Sequence, residues 1–158
     1  MSVLPLSELP NVLPPRSRLL GLDIGTKTIG LAISDPGRTV ASPIDTIRRG
    51  KRFADDAKVL LAVIDQRGVG GLIVGLPINM DGSEGPRCQS VRAFADNLLQ
   101  IRDLPIAFWD ERLSTAAVNR FLIGEADMTR KRRAAVVDKM AAAYILQGAL
   151  DRLAVMRR

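Results

Sequence analysis

Histidine is absent from this sequence of 158 residues. Its absence excludes the commonest general base, the commonest transition-metal ligand and every Ser-His or Cys-His catalytic arrangement. Any hydrolytic chemistry must therefore depend on carboxylates, lysines or a hard metal ion.

Cysteine and long apolar runs are scarce as well. The single cysteine excludes an internal disulfide, a zinc cluster and a redox pair, so Cys88 is either a small buried residue or an idle thiol. No apolar run approaches the ~20 residues of a membrane helix. The N-terminus also lacks the basic region, apolar core and cleavage site of a secretory signal. We therefore expect a cytoplasmic protein.

Positive charge is concentrated at the C-terminal end. The chain carries 23 basic and 17 acidic residues, a net charge of +6, and residues 129–158 hold eight of the basic and two of the acidic ones, which accounts for the whole surplus. A local basic cluster is typical of proteins that bind a polyanion such as nucleic acid. We predict backbone phosphate contacts for one such cluster, with a solvated helix end as the alternative. The cluster consists of Arg130, Lys131, Arg132 and Arg133.

The first third of the chain predicts a flexible extension followed by antiparallel strands. Residues 1–17 contain four prolines and no sustained periodicity, so we expect them to add nothing to the core. Two strands joined by a tight turn follow over 19–35, and a third covers 39–47, where Pro43 favours a sheet edge or a bulge. Short turns between successive strands indicate antiparallel pairing.

Helices and strands alternate in the rest of the chain. Helical spacing predicts helices over 51–67 and 87–101, and short apolar runs predict buried strands over 71–76 and 105–109. Ser114 is a candidate N-cap for a third helix.

A polar, basic link over 124–133 and a last helix over 134–153 complete the chain. The order of elements predicts an α/β domain over 18–158, a five-stranded mixed sheet flanked by helices, of the ribonuclease H type.

Acidic residues lie where an apolar neighbour or a strand end is expected. Asp23 ends the first strand, Glu111 follows the fifth, and Asp138 lies in the first turn of the last helix. If the fourth and fifth strands run parallel to the first, Asp23 and the Asp110-Glu111 pair emerge at the same edge of the sheet. Asp138 shares a helix face with apolar residues, so we expect it to point inward.

Each acid also has a purely structural explanation. Asp23 could cap its own turn, and Asp110 could pair with Arg112 or Arg92. Glu111 could be a surface residue at a strand end, and Asp138 could favour the positive end of its helix.

Converging carboxylates repel one another unless they share a proton or bind a cation. Without histidine or a nearby thiolate the ligand set is all oxygen, which favours Mg²⁺ or Mn²⁺. Two such ions ~4 Å apart can activate a water and stabilise the leaving oxygen of a phosphodiester. The sequence therefore predicts a metal site formed by Asp23, Asp110, Glu111 and Asp138.

Four sequence blocks resemble the YqgF/RuvX family of pre-16S rRNA nucleases, which is related to the Holliday junction resolvases. They are GLDIGTKTIGLAISD at 21–35, IVGLPINMDGSEGP at 73–86, DERLST at 110–115 and VDKMAAAYILQ at 137–147. The resemblance implies a ribonuclease H-like fold and a metal-dependent phosphodiesterase that trims the 5′ end of the small-subunit rRNA precursor in the cytoplasm. Branched DNA is the alternative substrate.

Matched by position, the acidic motif residues of the family fall on Asp23, Glu111 and Asp138, which the resemblance makes catalytic. The family also has a recurring loop between strand and helix, which corresponds to the stretch Asn79-Met80-Asp81-Gly82-Ser83.

Further candidates for nucleic-acid contact surround these acids. Lys27 and Arg112 could reach phosphate oxygens or could neutralise the acidic cluster. Asn79, Asp81 and Ser83 could hold substrate or could simply build a turn.

Two other classes of protein compete with a nuclease. The Asp-x-Gly-Thr pattern also occurs in the actin and sugar-kinase superfamily, but that architecture needs a second large domain, for which ~140 folded residues leave no room. A non-catalytic nucleic-acid-binding protein would bind its target whether or not Asp23 is replaced by Asn. Trp109 ends an apolar strand, so we predict that it lies in the core; a platform on which bases stack is the alternative. Monomer and homodimer are both open.

Overall fold

The computed structural model describes residues 3–113 and 130–157, and for 130–138 it describes the backbone alone. A turn of 3₁₀ helix (Leu6–Glu8) and a short helix α1 (Leu9–Val12) precede the sheet. The strands are β1 (Arg18–Ile24), β2 (Thr28–Ser34), β3 (Ala41–Arg48), β4 (Val69–Leu76) and β5 (Ile106–Asp110). The longer helices are α2 (Phe53–Arg67), α3 (Pro86–Ile101) and α4 (Arg130–Met156), and a 3₁₀ turn (Glu111–Leu113) follows β5.

The five strands form one mixed sheet in the order β3-β2-β1-β4-β5. β2 pairs antiparallel with both β1 and β3, whereas β4 pairs parallel with both β1 and β5. This arrangement confirms the predicted five-stranded mixed sheet. Pro43 lies on the edge strand β3, beside a register shift between Leu31 and Ala32, because proline cannot donate a hydrogen bond to a neighbouring strand.

Alternation along the strands separates two apolar layers. Leu20, Leu22 and Val74 belong to one cluster with α2 and α3, whereas Leu19 and Ile73 belong to the other, with α4. The sheet and α4 approach closely: a Cβ atom at Gly21 would lie 2.7 Å from the Cβ of Leu146. Only glycine permits this contact.

The N-terminal segment corrects one prediction. Leu9 is 0% exposed and Leu13 is 9% exposed, both within the layer that contains α4, and the Leu4 amide donates to the carbonyl of Ile106 at 2.8 Å. The expectation that residues 1–17 add nothing to the core is therefore wrong for this segment. Its prolines interrupt helical periodicity but do not prevent a short helix and the residue that follows it from burying Leu9 and Leu13.

The last helix corrects a second prediction. Residues 130–133 are helical and belong to α4, not to a polar link, because Arg and Lys are good helix formers and no glycine or proline separates them from the following residues. Asp138 consequently lies more than two turns inside the helix, not in its first turn. The helix predicted to begin at Ser114 lies outside the described residues, as does the rest of the link, 124–129.

Two smaller predictions hold. Trp109 is 7% exposed and packs in the layer with α4, which confirms it as a core residue. Cys88 is fully buried, and this burial raises the pKa of its thiol.

Within the described residues, no helix combines the length and apolar character needed to cross a membrane.

Candidate active site

Asp23 and Glu111 lie at the carboxyl ends of the parallel strands, as the sequence predicts. Asp23 is the penultimate residue of β1, and Glu111 follows β5 directly. Both carboxylates are buried, with exposures of 5% and 8%. An ionised carboxylate in such surroundings is costly unless it meets a cation or hydrogen-bond donors.

Glycine residues on the neighbouring strands make room for these carboxylates. Asp23 is paired with Gly30 of β2, and Gly75 of β4 lies one position beyond the Leu22–Val74 pair, level with Asp23. A Cβ atom at Gly75 would lie 3.1 Å from Oε1 of Glu111. The Glu111 side chain therefore extends from the end of β5 over β4, the strand that lies between β5 and the strand of Asp23.

Both carboxylates belong to the face of the sheet that is covered by α4. Side chains alternate along a strand, so Asp23 shares the face of Gly21, which contacts Ala142 and Leu146 of α4. On β4, a Cβ atom at Gly75 would collide with the side chain of Ile145 on the same helix.

Asp138 is on α4, one turn before Ala142 and two turns before Ile145. Its side chain lies outside the described part of the chain, so its catalytic and metal-binding roles stay predictions. Among the side chains in 3–113 and 139–157, no group of three acidic, cysteine or histidine residues is arranged to hold a metal ion. A complete carboxylate site thus requires a ligand beyond Asp23 and Glu111.

Asp110 does not join these two acids. On β5, Trp109 faces α4 whereas Phe108 packs with the opposite layer, so alternation places Asp110 on the opposite face from Trp109. Arg112 binds its carboxylate with two nitrogens, at 2.7 and 3.0 Å, and holds the pKa of Asp110 below its ordinary value. Pairing with Arg112, one of the explanations open from the sequence, therefore accounts for Asp110 without a metal.

Arg112 neutralises an acid in this structure. Besides Asp110 it lies near Asp81, whose pKa it helps to lower, and its Nη1 lies 3.8 Å from the Cβ position of Gly82. Arg92, the other predicted partner of Asp110, instead binds Glu84 at 2.7 Å. Arg112 thus links the end of β5 to the loop after β4.

The loop after β4 is closed by its own polar side chains. Oδ1 of Asp81 accepts bonds from the Ser83 amide at 2.9 Å and hydroxyl at 2.6 Å, and these lower the pKa of Asp81. Asn79 donates to the Ser83 hydroxyl at 3.0 Å, and Gly82 has a φ of 91°, which favours glycine. The three polar residues build the loop, as one of the two predicted explanations requires. Their contact with substrate stays a prediction.

A network that sequence reasoning missed supports the turn after Asp23. Arg49 donates from Nη1 to the carbonyl of Gly25 at 2.7 Å and pairs with Asp56 at 3.3 Å, and its guanidinium lies 5.5 Å from the ring centroid of Phe94. Asp56 is 3% exposed. Its helical spacing from Phe53 and Leu60 was the available signal, since it places an acid on the apolar face of α2.

Lys27 is exposed within this turn. Arg130, Lys131, Arg132 and Arg133 lie on α4, and their side chains are outside the described part. The phosphate contacts predicted for these five residues stay predictions.

Comparison with known proteins identifies the family. The family model described as RuvX, Holliday junction resolvase, matches residues 17–152. A relative from Phenylobacterium zucineum is 65% identical over 154 residues, covering 97% of this chain and 98% of its own. Another, from Paramagnetospirillum magneticum, is 67% identical over 151 residues and covers 96% of both chains. Both are named as candidate pre-16S rRNA nucleases.

The solved structure of T. thermophilus RuvC in complex with a Holliday junction substrate has a TM-score of 0.53 at 11% identity, covering 87% of this chain and 96% of that chain. This likeness concerns the fold and confirms that it is ribonuclease H-like. Because the family model covers nearly the whole sheet and its helices, and both relatives align along almost their full length, the chain belongs to the RuvX family.

Proposed function

We propose that this protein is a divalent-metal-dependent endonuclease that matures the 5′ end of the 16S rRNA precursor in the cytoplasm. Family membership and the names of its relatives make it an enzyme that hydrolyses phosphodiester bonds. The observation that carries the proposal is the pair of buried carboxylates, Asp23 and Glu111, at the carboxyl ends of two parallel strands that flank Gly75.

The donor set fits a hard cation. Asp23 and Glu111 offer oxygen ligands and are shielded from water, and we propose Asp138 as the third acid. Such ligands suit Mg²⁺ or Mn²⁺. When bound, the metal would supply an activated water and a Lewis acid for the leaving oxygen.

The chain's own residues supply position and charge. Gly75 leaves the volume above β4 that the Glu111 carboxylate enters, and the Arg49 network fixes the turn that follows Asp23. We propose that Lys27 and the cluster Arg130 to Arg133 contact phosphates of the substrate. We also propose that Asn79, Asp81, Ser83 and Arg112 contact the nucleic acid. Neutral replacement of either buried acid would remove one ligand and one of the negative charges that attract a cation.

The central test is cleavage by variants that remove one charge while keeping shape. We expect Asp23→Asn and Glu111→Gln each to lower Mn²⁺- or Mg²⁺-dependent cleavage of precursor 16S rRNA by at least about 100-fold, since metal-dependent nucleases lose several kcal/mol of transition-state stabilisation with a ligand. RNA binding, measured by fluorescence anisotropy, should change little.

Asp55→Asn is the matched control, because Asp55 is an exposed acid on α2 and its variant should cleave at the wild-type rate. Wild-type activity in the Asp23→Asn/Glu111→Gln double variant, or in excess chelator, would contradict the proposal.

A Holliday junction resolvase is the second candidate, because the family model carries that description. A four-way DNA junction tested beside precursor rRNA separates the two. Cleavage of the junction alone would assign the activity to DNA recombination. Binding of both nucleic acids with cleavage of neither, in any divalent metal, would favour a non-catalytic protein.

A further inference from the structure

A surface depression of about 380 Å³ lies beside the hairpin turn that follows Asp23. Gly25, Thr26, Lys27 and Thr28 line it from the turn, and Arg87 lines it from the first turn of α3. Two cationic side chains from segments 60 residues apart therefore border one depression at the carboxyl edge of the sheet, at the turn that begins two residues after Asp23.

No carboxylate among the side chains in 3–113 and 139–157 neutralises these two cations. Lys27 and Arg87 are exposed, and neither forms an ion pair with any side chain in 3–113 or 139–157. Two like charges at one depression repel each other unless an anion lies between them. Among the described side chains, Arg49, Arg92, Arg102 and Arg112 are each paired with a carboxylate.

Hydrogen bonds fix the backbone of the turn that carries Lys27. The Gly25 amide donates to the carbonyl of Thr28 at 2.8 Å, and the Arg49 amide donates to the carbonyl of Lys27 at 2.8 Å. The Arg49 guanidinium binds the carbonyl of Gly25 and the carboxylate of Asp56. Because the backbone of the turn is already ordered, a ligand there does not have to order it, which favours binding.

We infer that Lys27 and Arg87 form a subsite for a phosphate of the substrate strand, beside the bond that is cut. Arginine offers a planar fork that matches phosphate oxygens, and lysine adds a point charge. This inference rests on the proposed nuclease function and adds Arg87 to the residues that contact substrate. The role of the subsite is to hold the strand while Asp23 and Glu111 face the neighbouring phosphodiester.

The test measures salt-dependent binding without cleavage. A fluorescein-labelled 12-nucleotide RNA and a DNA of the same sequence are titrated with wild type, Lys27→Gln, Arg87→Gln and the double variant, in chelator and at several salt concentrations. Each lost phosphate contact should reduce the slope of log affinity against log salt by about 0.7 for a single strand, and the double variant by about 1.4.

Arg67→Gln is the matched control. Arg67 is exposed and ends α2 just before β4 begins, at the opposite end of the sheet from the depression, so this variant should keep the wild-type slope. An unchanged slope in the double variant, or an equal loss in Arg67→Gln, would overturn the subsite. A loss confined to RNA would assign the depression to the 2′-hydroxyl and would also overturn a phosphate site.

Failure of this inference is distinguishable from failure of the proposed function. Wild type that cleaves precursor rRNA in Mn²⁺, combined with an unchanged slope in the double variant, would remove the subsite and leave the nuclease proposal standing. Wild type that cleaves no nucleic acid would remove the nuclease proposal whatever the slopes show.

Discussion

At the scale of single residues, Gly75 links the packing of the core to the candidate active site. It lies on β4, between β1, which carries Asp23, and β5, which Glu111 follows. The space that a side chain at 75 would need is occupied by Ile145 of α4 and the carboxylate of Glu111. Ile145 is fully buried, so it has little freedom to move aside. Any larger residue at 75 therefore has to displace either the helix or the acid.

We expect Gly75→Ala to lower the free energy of unfolding by about 1–3 kcal/mol, the usual cost of overpacking a filled core. Nuclease activity should fall as well, because Glu111 loses its position. Urea unfolding followed by circular dichroism measures the first effect.

Gly50→Ala controls for the change from glycine to alanine. The nearest atom to its Cβ position is Oδ1 of Asp56 at an ordinary 3.8 Å, so its stability should change by less than about 0.5 kcal/mol. Equal stability of Gly75→Ala and wild type would show that the helix yields easily at this point.

At the scale of elements, the turn between β2 and β3 is organised by one carboxylate. Asp35 accepts hydrogen bonds from the amides of Val40 and Thr39, both at 2.8 Å, and from the Thr39 hydroxyl at 3.0 Å. These donors, the Val40 amide first, lower the pKa of Asp35 to about 2. The turn therefore favours the ionised form.

The lowered pKa predicts a pH-dependent stability. The unfolded chain has an Asp pKa of about 3.9, so the contribution of Asp35 is complete above about pH 5 and is lost as pH falls toward 2. Asp35→Ala should lower the free energy of unfolding by about 1 kcal/mol at pH 7. Its difference from wild type should shrink over this acidic range.

Denaturant unfolding at closely spaced pH values measures the difference. Asp35→Asn is the control, since it keeps a carbonyl acceptor but has no titrating group, and its difference from Asp35→Ala should not depend on pH. A wild-type advantage that is the same at pH 2 and pH 7 would contradict the proposed role of the ionised carboxylate.

At the scale of the whole molecule, the N-terminal segment completes the layer that contains α4. Leu9 and Leu13 pack there with Leu19, and the backbone of Leu4 bonds to the outer strand β5. This contact covers a strand edge that would otherwise offer free backbone groups to another chain. The segment thus belongs to the packed domain in structural terms.

We expect Leu9→Ala to lower the free energy of unfolding by about 2–5 kcal/mol, as for other fully buried leucines. Val12→Ala is the matched control on the same helix, because Val12 is 41% exposed and should change stability by less than about 1 kcal/mol. Chemical unfolding measures both. Equal effects of the two substitutions would contradict this packing and would support the flexible extension that the prolines indicate.

Local patterns were sufficient for much of the fold. The spacing of apolar residues predicted α2, α3 and all five strands, since the periods of helices and strands differ. Pro43 indicated a sheet edge or a bulge because it lacks an amide donor, and it lies on the edge strand beside a register shift. For the candidate site, strand direction was enough to bring Asp23 and Glu111 to one edge of the sheet.

The sequence by itself therefore determined the five strands, α2 and α3, the order of charges and apolar faces, and the family, because each depends on neighbouring residues or on motifs of fixed spacing. Only the tertiary structure decided that Asp110 faces away from Glu111, that Arg49 holds the turn after Asp23, that Lys27 and Arg87 border one depression, and that Leu9 is buried. The reason is physical: pairing, close packing and burial depend on contacts between side chains from distant segments, and the local periodicity of a sequence does not show which segments come together.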